Sequence, residues 1–279
     1  MSRPKISALI HTRNESAFID ACLESVAWAD EVIVADMAST DDTRAKAAAR
    51  GARIIDMPVV PYVDTVRNQA LAACAGDWIL VVDADETVPP MLATRLRELA
   101  AAPTADAYAL PRRNYFLGVW VEHIFWPDHQ TRFFRRGVAA WDGVVHHAPE
   151  VQGRMETLPA DPARALEHPG YGNDVHRMLV KTVNYTQFEV ERLKALAPAP
   201  WPYLLRRPIS EFIGRYFGGG WRHGMHGLVL SLILTAYQLF AAIQYWAAIR
   251  GTAAAPSSGA LRGAVRWEAW RTAVKLLRF

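Results

Sequence analysis

The sequence predicts an α/β protein with a mostly parallel, doubly wound sheet, and three observations carry that reading. Short apolar runs alternate with helical periodicity from residue 6 to about residue 102. The run Trp78-Ile79-Leu80-Val81-Val82 lacks polar alternation and is too short for a typical helix, as suits a central parallel strand covered on both faces. Three of these runs pass directly into polar, mostly acidic residues, and ligands of such sheets gather beyond the carboxyl ends of the strands.

Taken in order, Ile6 to Ile10 reads as a first strand, residues 15 to 27 as a helix, and Glu31 to Ala35 as a second strand. An Ala-rich helix follows from Thr40 to Arg50, with Asp41 and Asp42 near its start and Gly51 placed as a C-terminal cap. Ala52 to Met57 gives a third strand, residues 64 to 75 a helix, and Gly76-Asp77 leads into the strand that ends at Asp83. This βαβ alternation predicts right-handed crossovers. After a helix over 89 to 102, Ala107 to Leu110, Tyr115 to Trp120 and Thr131 to Arg135 read as strands of a mixed sheet that complete the domain. The pattern turns helical again from about residue 175, interrupted by Pro198-Ala199-Pro200-Trp201-Pro202 and by the glycines at 218 to 220. The expected division is residues 1–174 as an α/β domain and 175–279 as a helical C-terminal region.

Half of the 279 residues are hydrophobic, enough for a sizeable core, and the formal net charge is only +3. The charge is unevenly spread: Arg206, Arg207, Arg215, Arg222, Arg250, Arg262, Arg266, Arg271, Lys275 and Arg278 crowd the tail. Mixed with Trp and Leu, such a tail points to anionic lipid before nucleic acid. Residues 227 to 249 contain no Asp, Glu, Lys or Arg and meet the length of a membrane-spanning helix of about 20 residues. Gln238, Gln244, Ser231 and Thr235 dilute this stretch, so lying in the interface and spanning both stay open. Residues 260 to 279 can add a basic amphipathic helix. The two cysteines, Cys22 and Cys74, have no metal-ligand spacing and form no disulfide framework, which fits a reducing compartment. No signal peptide opens the chain, so the expected location is the cytoplasmic side of a membrane.

The chemistry is concentrated at the strand ends. Asp83-Ala84-Asp85 sets two carboxylates one residue apart where the apolar strand reaches the sheet edge, a pattern suited to a hard divalent cation such as Mg²⁺ or Mn²⁺. An isolated pair of this kind is more often an acidic turn, and the surroundings decide. Glu15 and Asp36, at two other strand ends, can accept from a base N–H and ribose hydroxyls. Arg67-Asn68 opens the preceding helix, where an arginine can reach a diphosphate. Capping accounts for Asn14 and Asp41 equally well, but not for acidic residues at successive strand ends. The chain has no GxGxxG after the first strand, no GxxxxGK[ST] and no GxSxG, which argues against a dinucleotide fold, a P-loop nucleotidase and an α/β-hydrolase.

The ordered text LIHTRNE, DEVIVADMASTDDT, RNQAL and GDWILVVDADE resembles the inverting glycosyltransferases of family 2, which have the A-type nucleotide-sugar-binding fold. AYALPRRNYFLGVWVEHIFWPDHQTRFFRR, WDGVVHH and LEHPGY narrow the likeness to bacterial lipopolysaccharide-core β-1,4-glucosyltransferases, over most of residues 5 to 170. The resemblance implies that Thr12, Asn14, Glu15 and Asp36 hold the uridine of a UDP-sugar. It implies that Arg67 and Asn68 lie near the diphosphate, and that Asp83 and Asp85 serve the metal, with Asp85 the direct ligand. An inverting transfer also needs a general base. Asp128 is the first candidate, Glu150 the second and Asp142 the third. His146 is a candidate metal or phosphate contact; relatives commonly read His-Glu where this chain has His146-His147. The implied acceptor is a lipid-linked saccharide of the lipopolysaccharide inner core, with a polyprenyl phosphate as the alternative and a noncatalytic nucleotide-sugar-binding scaffold as a more distant one.

Overall fold

A computed structural model describes residues 3–60, 62–143, 147–196 and 200–250. The first stretch alternates as read: β1 (Ile6–Thr12), α1 (Ile19–Val26), β2 (Glu31–Asp36), α2 (Thr43–Ala49), β3 (Arg53–Asp56), α3 (Arg67–Leu71), β4 (Trp78–Asp83) and α4 (Pro90–Ala101). There follow β5 (Ala107–Leu110), β6 (Arg112–Phe116), β7 (Val119–Trp120), α5 (Glu122–Phe125), β8 (Gln130–Arg135), β9 (Ala139–Ala140), β10 (Glu150–Val151), β11 (Met155–Thr157) and β12 (Leu166–Gly172). Three longer helices come last: α6 (Val175–Leu196), α7 (Pro200–Phe212) and α8 (Gly224–Ile249). The described chain falls into two units, one running to Tyr115 and from Phe125 to Tyr171, the other comprising Phe116–Ile124 and the residues from Gly172 onward.

In the first unit a seven-stranded sheet runs β11-β5-β8-β4-β1-β2-β3. The pairs β1–β2, β1–β4 and β2–β3 are parallel, and β8 lies antiparallel between β4 and β5. The sheet is therefore parallel from β4 through β1 and β2 to β3, and mixed beyond β4. Trp78 to Val82 are all buried, because α1 and α4 cover one face and α3 the other. On the first face Trp78 stacks on Phe133 at 4.8 Å between ring centroids, and Tyr108 closes the cluster at 6.1 Å from Phe133. These rings bind β4, β8 and β5 together across the antiparallel seam.

One expected strand divides in two. Residues 115 to 120 read as a single strand, yet β6 ends at Phe116 and β7 begins at Val119. Leu117 and Gly118 both take positive φ, 49° and 77°, the geometry of a two-residue hairpin turn that matches strand twist. The preference of Gly for that region makes the reversal cheap.

In the second unit α8 packs against α6 and α7, with Tyr245, Val190 and Leu193 forming a small buried cluster. Ser231 and Thr186 are buried on the packed sides. The opposite side of α8 exposes Met225, Leu232, Leu239 and Trp246, one every seventh residue, together with Ile243. Gly220–Ile249 is long and apolar enough to cross a membrane by length and composition. The possible amphipathic helix at 260 to 279 lies outside the described residues.

Truncating the central aromatic cluster tests this account of the seam. Phe133→Ala is expected to lower stability by about 3–5 kcal/mol, the usual cost of emptying a buried aromatic site. Urea unfolding followed by tryptophan fluorescence measures it, and a loss below about 1 kcal/mol would show that the seam is held elsewhere.

Candidate functional site

Register brings the strand ends level. Thr12 on β1 faces Asp36 on β2, and His11 faces Asp83 on β4. The loops beyond β1 and β2 are laced together: Asn14 N–H donates to Ser39 Oγ at 2.9 Å, Asn14 Oδ1 accepts from Thr40 N–H at 2.7 Å, and Glu15 N–H donates to Thr43 Oγ1 at 2.9 Å. Asn14 and Ala38 both hold positive φ, 55° and 53°, so the crossing is fixed by backbone shape as well as by hydrogen bonds. Asp36 is fully buried and accepts from Ser39 N–H at 3.1 Å and from Arg44 Nη1 at 2.9 Å. Asp41 accepts from the N–H groups of Ser16 and Thr43; burial opposes its ionisation, and these bonds with that of the Thr43 hydroxyl draw its pKa down to about 2.

A ladder of alternating charge begins at the end of β4. Arg67 donates from Nε to Asp64 at 3.0 Å and from Nη2 to Asp83 at 3.2 Å. Arg132, from β8, grips both oxygens of Asp83 and lies 3.5 Å from Glu86 Oε1. Glu86, fully buried, accepts from Arg112 Nη1 at 2.7 Å and from the Asp83 N–H at 3.0 Å. Arg112 in turn donates to Asp128 from Nε at 2.9 Å and Nη2 at 2.7 Å. Burial pushes the Asp83 carboxyl up, but Arg132 and Arg67 outweigh it and hold the group well below the ordinary carboxylate range. Buried ions of one sign without the other cost several kcal/mol each, so this ladder stands only as a whole.

Asp83 is thus enclosed by arginines, whereas Asp85 points elsewhere. His168 Nε2, on β12, lies 3.3 Å from Asp85 Oδ2. Backbone bonds tie β12 to this loop: Thr87 and Glu167 exchange N–H···O bonds of 2.8 and 3.0 Å, and Gly170 N–H donates to the Asp85 carbonyl at 3.4 Å. A Cβ on Gly170 would run into the Asp85 side chain, so glycine is what allows the strand this close. No group of three or more His, Cys, Asp or Glu is arranged to hold a metal among the described residues.

The other sequence candidates are distributed as follows. Asn68 donates to the Trp141 carbonyl at 2.7 Å and accepts from the Trp141 N–H at 2.9 Å, so its amide clamps a neighbouring segment while Arg67 lies over the Trp141 ring at 5.2 Å. Asp142 contacts His147 Nδ1 at 2.8 Å. Glu150 is exposed on the separate β9–β10 ribbon. Asp128 accepts from Arg112, from Asn114 Nδ2 at 2.8 Å and from Gln130 Nε2 at 2.8 Å. Burial works against the ionised form of Asp128; Arg112 and then the amide donors outweigh it and keep its pKa low. His146 lies outside the described residues. Sequence reasoning did not single out His168, Glu86 or Arg112: LEHPGY carries no ligand spacing, and the ladder joins residues as far as 49 positions apart.

A parallel sheet with level acidic strand ends, continued by an antiparallel strand, is the A-type fold of the glycosyltransferases. The chain belongs to glycosyl transferase family 2, whose sequence profile matches residues 7–151. It is 26% identical over 256 residues to the lipopolysaccharide core biosynthesis glycosyltransferase LpsC of Rhizobium meliloti, covering 86% of this chain and 92% of that one. An uncharacterized glycosyltransferase of Rickettsia felis is 43% identical over 105 residues, 37% of each chain. Several of the curated relatives it matches are covered over less than half of their own length. Among solved structures, glucosyl-3-phosphoglycerate synthase of Mycobacterium tuberculosis with Mn²⁺, UDP-glucose and glycerol 3-phosphate is 28% identical, with 40% of this chain and 44% of that one covered and a TM-score of 0.33.

His11 gives this edge a measurable pH response. Burial first and Arg67 second hold its pKa well below 6.5, so the folded protein keeps the ring neutral while the unfolded chain takes up a proton near pH 6.5. Stability is therefore expected to fall on acidification below about pH 6.5, by at most about 1.4 kcal/mol per pH unit from this group. Urea unfolding between pH 7.5 and 5.5 measures the slope, and His11→Gln should flatten it; an unchanged slope in the variant would assign the effect to other groups.

Proposed function

We propose that the chain is a metal-dependent, inverting glycosyltransferase that moves a hexose, glucose from UDP-glucose, to a lipopolysaccharide inner-core or similar glycolipid acceptor. The observation that carries the reading is the pairing of Asp85 with His168 beside an arginine-enclosed Asp83, at the level ends of β1, β2 and β4. Carboxylate oxygen with imidazole nitrogen is a mixed donor set that suits Mn²⁺ better than Mg²⁺, whose ligands are oxygens, and close approach of β12 at Gly170 keeps the two side chains together. Asp85 and His168 would hold the cation, which supplies charge neutralisation to the departing diphosphate when bound. Asp83 belongs to the same site through its arginines rather than as the main ligand.

The remaining roles fall to the chain's own side chains. Asp36 and Thr12 receive the nucleoside, with Asn14 and Glu15 shaping the loop around it; Thr12 Oγ1 and His11 Nε2 are buried at this edge without a hydrogen-bond partner among the described residues. Arg67 and Arg132, which hold Asp83 and pair also with Asp64 and Glu86, are the cations that a diphosphate beside Asp83 would meet. Asn68 supports that place by holding Trp141. The general base takes the proton of the acceptor hydroxyl. Asp128, whose oxygens already accept from Arg112, Asn114 and Gln130, is poorly suited to receive it, so we assign the base to Glu150 first and Asp142 second.

The acceptor side rests on the second unit. The apolar stripe of α8 is bracketed by Trp221 with Arg222 and by Trp246 with Arg250, an arrangement of aromatic and cationic anchors that suits a bilayer interface. A lipid-linked saccharide at the cytoplasmic face of the membrane is the substrate that such a surface would meet.

Purified full-length protein should transfer glucose from UDP-glucose to a core glycolipid only with Mn²⁺ or Mg²⁺, and Asp85→Asn should abolish it. Glu150→Gln should lower kcat by about 10²–10⁴ with UDP binding retained. Full turnover in chelator would overturn the metal role, and transfer to polyprenyl phosphate alone would move the acceptor assignment. For the membrane surface, flotation with anionic vesicles is expected, and replacing Leu232, Leu239 and Trp246 together by serine should release the folded protein. Absence of flotation by the unaltered chain would refute membrane contact.

A further inference from the structure

Asp128 carries two hydrogen bonds more than its place in the ladder requires, and one of them leads to the proposed cation site. Its Oδ2 accepts from Asn114 Nδ2 at 2.8 Å as well as from both Arg112 donors, and its Oδ1 accepts from Gln130. Asn114 is buried, and its Oδ1 lies 2.8 Å from Nδ1 of the equally buried His168. Nε2 of the same ring is the atom 3.3 Å from Asp85 Oδ2.

The chemistry of the donors orders the first contacts of this chain. An ionised carboxylate only accepts, so Asn114 must turn its NH₂ to Asp128 and its carbonyl oxygen to His168. An amide oxygen also only accepts, so Nδ1 of His168 must carry a proton. Nε2 then faces the carboxylate of Asp85, a contact that calls for positive charge at Nε2: a second ring proton in the free protein, or a divalent cation that takes its place. We infer that Asp128 and Asn114 are positioning residues that lock His168 in its Nδ1–H tautomer and so present Nε2, with Asp85, to a divalent cation.

The inference rests on the reading of Asp85 and His168 as the cation-binding pair, and it gives Asp128 a task in place of the general base. It also explains why Arg112 holds Asp128 and Glu86 at once. The guanidinium that fixes the Asp83 end of the site fixes, through Asp128, the orientation of the histidine at the other end. Partners of this kind behind a metal-bound histidine are typically worth 10- to 100-fold in metal affinity.

Long-range ¹H–¹⁵N correlations on histidine-labelled full-length protein, with the His168 signal assigned by His168→Gln, read the tautomer directly. Titration with Mn²⁺ alone, followed by electron paramagnetic resonance, reads affinity without turnover. The unaltered chain should show Nδ1–H at His168. Asp128→Asn, which lets the Asn114 amide turn over, should give mixed tautomers and an affinity about 10- to 100-fold weaker. Asn114→Ala, which leaves the Arg112–Asp128 pair in place, should do the same and covers the case in which Asp128→Asn does not fold. A proton on Nε2 with none on Nδ1 in the unaltered protein, or unchanged tautomer and Mn²⁺ affinity in Asn114→Ala, would overturn the inference. Mn²⁺ affinity indifferent to Asp85→Asn would instead overturn the cation site itself, and with it the purpose assigned to the lock.

Discussion

The enclosure of Asp83 by Arg67 and Arg132 is the constraint on which the rest of the first unit depends. It joins α3, β4 and β8 through one carboxylate at the end of the central strand. Removing either arginine would leave buried charge uncompensated, and removing the aspartate would leave two guanidiniums facing each other. The same arrangement forces β8 to lie next to β4, since Arg132 reaches Asp83 only from that neighbouring strand. An antiparallel strand placed there by hydrophobic stacking of Phe133 on Trp78 is thereby also placed by charge.

From that point the polar structure extends in two directions with different character. Toward β2 it consists of short bonds among Asn14, Ser39, Thr40 and Asp36, which shape a loop crossing. Toward β12 it is a sequence of alternating ions, Asp83, Arg132, Glu86, Arg112 and Asp128, ending in amide and imidazole. Hydrogen bonds to charged groups are the stronger kind, and in a low-dielectric surrounding each polarises the next. The β2 side is therefore held by backbone geometry and short hydrogen bonds, and the β12 side by charge.

The contrast also explains what could be read from the sequence. The buried run ahead of Asp83 and the βαβ order are local patterns, and the parallel half of the sheet followed from them. Asp36 and Asp85 stand at strand ends that hydropathy alone locates. The insertion of β8 between β4 and β5 is a non-local pairing, and no local signal specifies it. His168 escaped notice because its partner is 83 residues earlier and its own neighbours carry no ligand pattern. The hairpin at Leu117-Gly118 was hidden by aromatic residues that suit a strand on either side of the turn, although the glycine was a usable signal. Asp128 was visible as a carboxylate near a strand but not as an acceptor already filled, because Arg112, Asn114 and Gln130 declare nothing of their direction until the strands are paired.

The position of β12 has a consequence for synthesis. The strand is the last element of the first unit to leave the ribosome, and both His168 and Gly170 lie on it. A nascent chain can assemble β1, β2 and β4, with Thr12, Asp36 and Asp83 level, long before the residue that faces Asp85 exists. The level ends of β1, β2 and β4 thus form early, while the pairing of Asp85 with His168 is completed only by the final strand.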